Sequence, residues 1–515
     1  MRRYLVLAIC LGVALGWLTP AAAHAQATGT ISGLVTDQSG GVMPGVAVEV
    51  TNTDTNQTRS AVTGTDGFYT VPLLQPGPYG VKATLQGFRV TLREGVRVTV
   101  ESTSRVDLAL TVGGLEESVK VTADAPLVET ASASLGTVID QKKIVELPLN
   151  GRNFTQLGTL IPGVVAPPPG LGGAAGDATP GGFGATTSGF SVNGMRNQSN
   201  NFLLDGASNN DTFNTGFVMR PPPDAIQEFK IQTHSYSAEY GRNSGSVVNV
   251  VTKAGTNVLH GAAWEFNRDD GLQARNFFAP STQAKPKLKQ NQFGAALGGP
   301  LVRDRMFGFG YYEGYRQTRG NTANILVLTE AQRAGNFGST TIRDPLTGQP
   351  FPNNTIPQDR LSPIAVALMN QFLPLPNSGT NRYVISPETE DERNSFGGRV
   401  DFQISDRQTV LGRYMLTKTD AVTPPITTPI GNTSKSTLSD YMGSHTMILS
   451  TNAFNVARVS YNKIDARPAV TSGLRNEDFG INVPNTNALA QGLASIVISG
   501  FPTLGDPAQP FVQRG

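Results

Sequence analysis

Alternation of apolar and polar residues is the dominant pattern in this chain, and it predicts strands rather than helices along most of its length. Between residues 26 and 112 the alternating segments are short and lie between turns rich in Gly, Pro, Asn and Asp. Val96–Val100 and Val106–Leu110 are the clearest of them, with apolar residues at every second position. About seven such strands at near-regular spacing predict a β-sandwich over residues 26–112.

Longer alternating segments begin after residue 257 and carry aromatic residues near their ends. Alternation over about ten residues, with apolar side chains outward and polar ones inward, is typical of a membrane β-barrel, although a soluble sandwich has the same period. Strand length and aromatic content favour the first strands of a transmembrane antiparallel β-barrel over residues 258–515. The residues expected to face outward are Ala262, Trp264, Phe266, Phe293, Ala295, Leu297, Phe307, Phe309, Tyr311, Phe396, Gly398, Val400, Phe402, Ile404, Val410, Tyr414, Ala457, Val459 and Tyr461.

The strand pattern is interrupted between residues 317 and 394, where proline-rich turns replace it. Within this stretch Ser362 and Pro363 form an N-cap and first helical position, and they predict a short helix that runs to about Phe372. A connection this long is usually functional or disordered. We therefore predict a long loop over residues 317–394.

The N-terminus has the three parts of a secretory signal peptide. Met1–Arg3 is basic, Tyr4–Leu18 is apolar, and Ala23-His24-Ala25 is a small-residue cleavage site. The alternative is a membrane anchor, but the apolar run is shorter than the roughly 17–25 residues that a spanning helix needs. We predict cleavage between Ala25 and Gln26, which removes residues 1–25.

Composition excludes several kinds of chemistry. The only cysteine, Cys10, lies in the predicted signal peptide, so the exported chain has no thiol for disulfides or metal binding. The 41 basic residues nearly balance the 39 acidic ones, which gives no sign of a nucleic-acid partner. The four histidines show no metal-ligand spacing, and no nucleophile or phosphate-binding motif is present. We assign no catalytic, cofactor-binding or metal-binding residue, and we do not expect an enzyme.

A series of short motifs within residues 33–88 is more specific than the strand pattern. The order is Gly33, Val35 and Asp37, then Pro44-Gly45, Thr65–Tyr69, Pro76-Gly77 with Tyr79, and Gly87-Phe88. This order resembles the carboxypeptidase regulatory-like domain, which implies an immunoglobulin-like or prealbumin-like sandwich without peptidase chemistry. The family also resembles starch-binding folds, so Tyr69, Tyr79 or Phe88 could stack on a sugar. We favour the alternative that these aromatic residues form the sandwich core.

A second series of motifs follows in residues 125–257. It comprises N-G-x-R at 193–196, N-N-x-x-x-D-G at 200–206, A-I-x-E-F at 225–229, and Y-G-x-x-x-G-x-V-x-N-V-V-T-K at 240–253. This succession resembles the plug domain of TonB-dependent receptors, in particular the Oar-like group, in which a regulatory-like domain precedes the plug. The resemblance implies an α+β plug over residues 125–257. The predicted fold class is therefore all-β, with a β-sandwich, an α+β plug domain and barrel strands.

Residues 113–124 form a polar linker that contains a β-branched segment. Such a segment can add to the sheet edge of another protein through main-chain hydrogen bonds, and we identify no strand partner for it in its own domain. It resembles the TonB box of energised outer-membrane receptors, while an ordinary interdomain linker is the alternative. The segment consists of Glu117, Ser118, Val119, Lys120, Val121, Thr122 and Ala123.

The resemblance implies an outer-membrane receptor or transporter for an unidentified solute. It further implies contact with outer-membrane lipid, a periplasmic N-terminal domain, energy from an inner-membrane TonB–ExbB–ExbD complex, and an extracellular position for the loop 317–394. The alternative is a surface binding or adhesion protein whose sandwich contacts carbohydrate or protein.

The number of strands leads to one further expectation. About eight candidate strands follow Gly245, and eight strands close a barrel that is too narrow for a plug of about 140 residues. The sequence also ends at Val512–Gly515 without the terminal aromatic residue that is typical of the resembled family. We therefore expect the sequence to be a fragment that ends within the barrel.

Overall fold

The computed structural model describes residues 27–113, 118–122, 134–166, 190–211, 216–240, 243–275, 285–320, 322–424, 432–450, 453–470, 473–482, 492–505 and 513–514. The predicted signal peptide with Ala25 and Gln26 lies outside these residues, as do Glu117 and Ala123. Below, residues 27–113 are the sandwich, residues 134–252 are the plug, and the long strands after residue 259 form the barrel sheet.

The sandwich has two sheets packed on an apolar core, as the alternation predicts. One sheet has the order β4-β1-β7, with β8 also beside β1, and the other has the order β3-β2-β5-β6-β9. The core takes every second residue of β1, with Ile31 and Val35 fully buried. The strands are β1 (Gly29–Asp37), β2 (Ala47–Asn52), β3 (Thr58–Val62), β4 (Phe68–Leu74), β5 (Gly77–Thr84), β6 (Val90–Val98), β7 (Thr103–Arg105), β8 (Leu108–Leu110) and β9 (Ser118–Thr122).

Two of the three aromatic residues considered for sugar stacking lie in this core. Tyr69 and Tyr79 are each 2% exposed, and their hydroxyl groups donate to the carbonyl oxygens of Val106 (2.7 Å) and Gln75 (2.9 Å). Phe88 is half-buried against the same core. The expectation that they are core residues is confirmed for both tyrosines, because a ring with no exposed face cannot stack on a ligand.

The plug is built around a mixed sheet with the order β10-β15-β16-β13-β14. Its core is made by Ile139, Phe154, Phe190, Phe229 and other apolar side chains that continue into the barrel sheet. The elements are β10 (Leu135–Asp140), α1 (Gln141–Glu146), β11 (Val164–Val165), β12 (Ser191–Val192), β13 (Asn201–Leu204), β14 (Ala207–Ser208), β15 (Ile226–His234) and β16 (Val247–Thr252), with 3-10 helices at Asn150–Arg152, Phe154–Leu160, Asn197–Ser199, Pro223–Ala225 and Ala238–Tyr240.

The barrel sheet is antiparallel throughout, in the order β17-β18-β19-β22-β23-β24-β25-β26. Most of its strands run 15–19 residues, longer than the roughly 9–11 that cross a bilayer. The strands are β17 (His260–Asp269), β18 (Leu288–Val302), β19 (Met306–Gly320), β22 (Glu388–Ser405), β23 (Gln408–Thr423), β24 (Asn432–Ser450), β25 (Ala453–Val470) and β26 (Gln513–Arg514), and the 3-10 helices after residue 259 are Asp270–Leu272, Pro352–Asn354, Gln358–Arg360 and Asn476–Phe479. No helix among the described residues has both the length and the apolar character needed to span a bilayer.

The predicted outward face is right for some strands and wrong for others. Val400, Val459 and Tyr461 are exposed on the outer face, as expected. Phe309 and Tyr311 instead face inward and join the plug core, and Trp264 packs partly against that core. The prediction failed there because the plug supplies an apolar surface inside the sheet, so inward-facing positions of β17 and β19 need not be polar.

The loop between β19 and β22 is shorter than predicted. Gln317–Gly320 and Glu388–Asn394 belong to strands, so the connection covers residues 321–387. The predicted helix is confirmed as α3 (Pro363–Phe372), with the Ala365 amide donating to the Ser362 hydroxyl. The loop also contains the hairpin β20 (Ala323–Leu326) and β21 (Arg382–Ile385) and the short helix α2 (Glu330–Arg333).

We predict that Gly33→Ala lowers the free energy of unfolding of the sandwich by about 1–3 kcal/mol. The reason is that the added Cβ would lie 1.8 Å from the Val106 carbonyl oxygen. Hydrogen exchange of peptides from residues 29–110 in increasing urea measures the change. Gly80→Ala is the matched control, since its Cβ meets no atom closer than 3.9 Å. Equal effects of the two substitutions would contradict the close approach of β1 to Val106.

Candidate functional site

A two-residue turn at the end of β13 directs a carboxylate of the plug toward the barrel sheet. Asp205 and Gly206 have φ values of 49° and 73° and connect β13 to β14. Asp-Gly at positive φ is the sequence that a tight type I′ hairpin favours. The D-G motif found in the sequence is therefore the point at which the plug presents Asp205.

Asp205 is buried and accepts hydrogen bonds from the plug itself. The Thr252 amide donates to Oδ1 and the Thr252 hydroxyl donates to Oδ2, both at 2.8 Å. These bonds fix the orientation of the carboxylate at the end of β16. The remaining acceptor positions of Asp205 then point to the barrel sheet.

Two arginines of the barrel sheet form ion pairs with Asp205. Arg399 Nη1 lies 3.2 Å from Asp205 Oδ1, and Arg413 Nη1 donates to Asp205 Oδ2. Burial alone would raise the pKa of Asp205, but the charges of Arg399 and Arg413 outweigh burial and hold that pKa below its ordinary value. The carboxylate is therefore ionised and paired although no solvent reaches it.

Each of these arginines also has a carboxylate of its own on the barrel sheet. Arg399 binds both oxygens of Asp401 at 2.8 Å, and Arg413 contacts Asp440 Oδ1 at 2.8–2.9 Å. We name Asp205, Thr252, Arg399, Arg413, Asp401 and Asp440 the Asp205 cluster. Because unpairing a buried charge costs about 3–5 kcal/mol, this cluster strongly favours the seated position of the plug.

A second ionic contact lies farther along the strands. Arg152 of the plug pairs with Asp224 and, at 3.1 Å, with Glu313 of β19. Its guanidinium also lies 5.0 Å from the Trp264 ring centroid and 4.6 Å from that of Phe266. The contact therefore combines charge pairing with cation–π attraction, which a lysine would not reproduce.

The sandwich contacts the plug through the turn Val100–Glu101, which we name the Glu101 turn. The Val100 amide donates to the Glu228 carboxylate, and Lys230 Nζ donates to the Glu101 carbonyl oxygen at 2.7 Å. The Glu101 carboxylate accepts from the Tyr240 hydroxyl and, at 2.6 Å, from Asn249. The turn therefore binds β15, β16 and the segment between them.

Glu228 is buried and Glu101 is half-buried, and both carboxylates are incompletely paired. One oxygen of Glu101 and one of Glu228 have no hydrogen-bond partner among the described residues. Burial raises the pKa of Glu101, and it raises the pKa of Glu228 to about 7. The contact between sandwich and plug is thus sensitive to protonation near neutral pH.

The sandwich also contacts the barrel sheet at the end where the strands are joined by short turns. Asn56 donates to Asp304 at 2.9 Å, in the turn between β18 and β19, and Arg399 donates to Gln75 at 2.9 Å. The loop 321–387 leaves from the opposite ends of the strands. The sandwich and this loop therefore lie at opposite ends of the barrel strands.

The segment that resembles a TonB box is paired with the sandwich. Its described part, Ser118–Thr122, forms β9 and lies parallel to β6, with Val90 opposite Ser118 and Glu94 opposite Thr122. The prediction that this segment lacks a partner in its own domain was therefore wrong. The sequence could not show this pairing, because parallel neighbours need not be adjacent in the chain.

The sequence did not identify the residues that hold the three parts together. Arg399 and Arg413 lie at inward positions of alternating strands, where an isolated charge beside apolar neighbours was the available signal. Glu101 carries no such signal, since a Glu in a turn is usually solvated. Glu228 lies in β15 within the A-I-x-E-F motif, which indicated the plug domain but not the contact with the sandwich. Within the described ranges, no group of three or more His, Cys, Asp or Glu side chains is arranged to hold a metal ion.

We predict that Asp205→Ala loosens the plug by about 3–5 kcal/mol, because it leaves Arg399 and Arg413 buried without their shared partner. Hydrogen exchange of β13 and β16 peptides reports the loss. Lys287→Gln is the control, because it removes an exposed pair with Glu388 that contributes about 1 kcal/mol or less. Unchanged protection in Asp205→Ala would show that the cluster does not hold the plug.

We predict that the contact at the Glu101 turn weakens as pH rises from 5 to 8. Because the pKa of Glu228 is higher in the docked state than its ordinary 4.5, docking is fully favourable below about pH 4.5 and loses up to about 3 kcal/mol as pH rises through 7. Hydrogen exchange at Val100, corrected for its intrinsic pH dependence, measures this change. Glu228→Gln keeps an acceptor for the Val100 amide and should leave only the pH dependence that comes from Glu101.

Glu49→Gln, which alters an exposed carboxylate paired with Lys82, is the control and should retain the wild-type pH profile. A Glu228→Gln profile identical to the wild type would rule out Glu228 as the titrating group.

Three family models match the chain in sequence order. The carboxypeptidase regulatory-like domain matches residues 30–111, the TonB-dependent receptor plug domain matches residues 126–248, and the outer membrane beta barrel domain matches residues 251–514. The last match alone covers half of the chain. The resemblances to the carboxypeptidase regulatory-like domain and to the plug domain are therefore confirmed.

Curated relatives agree with these matches. The TonB-dependent transporter Oar of Myxococcus xanthus is 29% identical over 355 residues, which covers 65% of this chain and 31% of that protein. The probable TonB-dependent siderophore receptor PirA of Acinetobacter baumannii is 25% identical over 118 residues, or 23% of this chain and 14% of that protein. The chain thus spans less than a third of the length of each of these two relatives.

Solved structures are similar only at low identity. The outer-membrane transporter YddB from Escherichia coli has a TM-score of 0.43 at 12% identity, over 65% of this chain and 39% of that one. PirA from Acinetobacter baumannii has a TM-score of 0.36 at 16% identity, over 66% and 46%. Both scores lie below 0.5, so the assignment rests on the family models. On those matches the chain belongs to the outer-membrane β-barrel family, and it resembles Oar-like TonB-dependent receptors in placing a carboxypeptidase regulatory-like domain and a plug domain before the barrel strands.

Proposed function

We propose that this protein takes up a solute across the outer membrane with energy supplied by a periplasmic TonB–ExbB–ExbD complex. The observation that carries the proposal is the plug, which is seated against the inner face of the barrel sheet by the Asp205 cluster. A lumen closed by a plug does not conduct until something displaces or remodels that plug. Breaking buried ion pairs of this kind requires work, and an energised partner supplies it.

The orientation follows from the two ends of the barrel sheet. We assign the sandwich and the short turns to the periplasmic side and the loop 321–387 to the extracellular side, as is usual for outer-membrane barrels. Lipid then contacts outer-face residues such as Val459 and Tyr461. Export by the signal peptide, with cleavage between Ala25 and Gln26, and the domain limits 26–112, 113–124, 125–257 and 258–515 belong to the same proposal.

The segment Glu117–Ala123 is the proposed contact with TonB. Its described part already has strand conformation, which is the form that adds to another sheet through main-chain hydrogen bonds. The alternative of surface adhesion through the sandwich gains no support, since Tyr69 and Tyr79 are buried.

We predict that deletion of residues 115–123 abolishes binding of the purified periplasmic domain of TonB, because the deletion removes the strand that the partner would extend. Isothermal titration calorimetry against the exported chain measures the loss. In the native cell, uptake should disappear while binding at the cell surface persists.

Replacement of residues 115–123 by a Gly/Ser sequence of the same length is the matched control for linker length, and it should behave like the deletion. Unchanged TonB binding or unchanged uptake in both variants would refute the proposed function.

A further inference from the structure

Strand β9 is the outermost strand of its sheet and uses only one of its two edges among the described residues. It pairs with β6 over Ser118–Thr122, and the sheet order ends there. The second edge of such a strand carries unpaired N–H and C=O groups that can template a strand from another chain. The sandwich therefore presents the segment in a form that a partner can extend.

We propose that the sandwich is the docking platform for TonB: an extended strand of TonB adds to the free edge of β9 while β9 stays paired with β6. This inference rests on the proposed function and specifies how the contact is made. The competing arrangement is sequestration, in which β6 occupies the edge that TonB needs and β9 must leave the sandwich before TonB binds.

Preorganisation favours the docking platform. A free five-residue segment must lose backbone conformational entropy at every residue when it becomes a strand. Pairing with β6 has already ordered Ser118–Thr122, so this entropy loss does not reduce the free energy of binding to TonB. The partner then extends an existing sheet, which is the usual geometry of strand addition.

The same arrangement gives the bound partner a second connection to the plug. β6 ends at Val98 and continues within two residues into the Glu101 turn, which binds Glu228, Lys230 and Asn249 of the plug. A pulling force applied to β9 would therefore be transmitted through the hydrogen bonds between β9 and β6 to β15 and β16. β16 ends at Thr252, which holds Asp205, so the force reaches the Asp205 cluster.

A disulfide between β6 and β9 distinguishes the platform from sequestration. Leu92 and Lys120 are opposite each other in the register, and the only cysteine of the sequence is Cys10 in the predicted signal peptide. The double variant Leu92→Cys/Lys120→Cys in the full exported chain should form the disulfide on mild oxidation, as detected by mass spectrometry. Calorimetry then compares binding of the purified periplasmic domain of TonB to the oxidised and reduced forms, with each single cysteine variant as control.

We expect the oxidised and reduced forms to bind TonB with Kd values within about threefold of each other, because the free edge of β9 is untouched. A loss of tenfold or more on oxidation, restored by reductant, would establish sequestration and overturn the platform. Failure of the disulfide to form in the folded chain would also overturn it, since β9 would then not lie on β6. If neither form nor the unmodified chain binds TonB, the proposed function itself fails.

Discussion

The buried pairing of Asp205 with Arg399 and Arg413 is the interaction on which the relation between plug and barrel sheet depends. Apolar contacts between Phe309, Tyr311 and the plug core favour association but set its geometry less strictly, because the hydrophobic effect is non-directional. Ion pairs out of reach of solvent are different. They are satisfied in one arrangement, and any other leaves a charge desolvated without its partner.

This constraint explains why the local structure around Asp205 is so closely determined. The hairpin turn needs positive φ at two successive residues, and Asp-Gly meets that need. The Thr252 amide and hydroxyl then orient the carboxylate. Since Thr252 also accepts from Arg399, one residue links the plug sheet, the carboxylate and the barrel sheet.

The contact between sandwich and plug has a different character. It depends on two carboxylates, those of Glu101 and Glu228, that are only partly paired, and desolvation raises the pKa of both. Protonation can change the strength of such a contact, whereas Asp205 is paired with two arginines and accepts two hydrogen bonds from Thr252. The molecule thus combines one firmly held interface with one that conditions can weaken, and the strand that precedes the plug lies on the weaker side.

The sequence by itself determined most of the strands and the order of the three parts, because these depend on side-chain period and local motifs. It also determined α3, whose cap and first proline are adjacent in the chain. Only the tertiary structure decided which apolar residues of β17 and β19 face inward, since the plug replaces water inside the sheet. It alone decided that Arg399 and Arg413 meet Asp205 and that β9 pairs with β6, because these partners are brought together by folding over long sequence separations that no local pattern encodes.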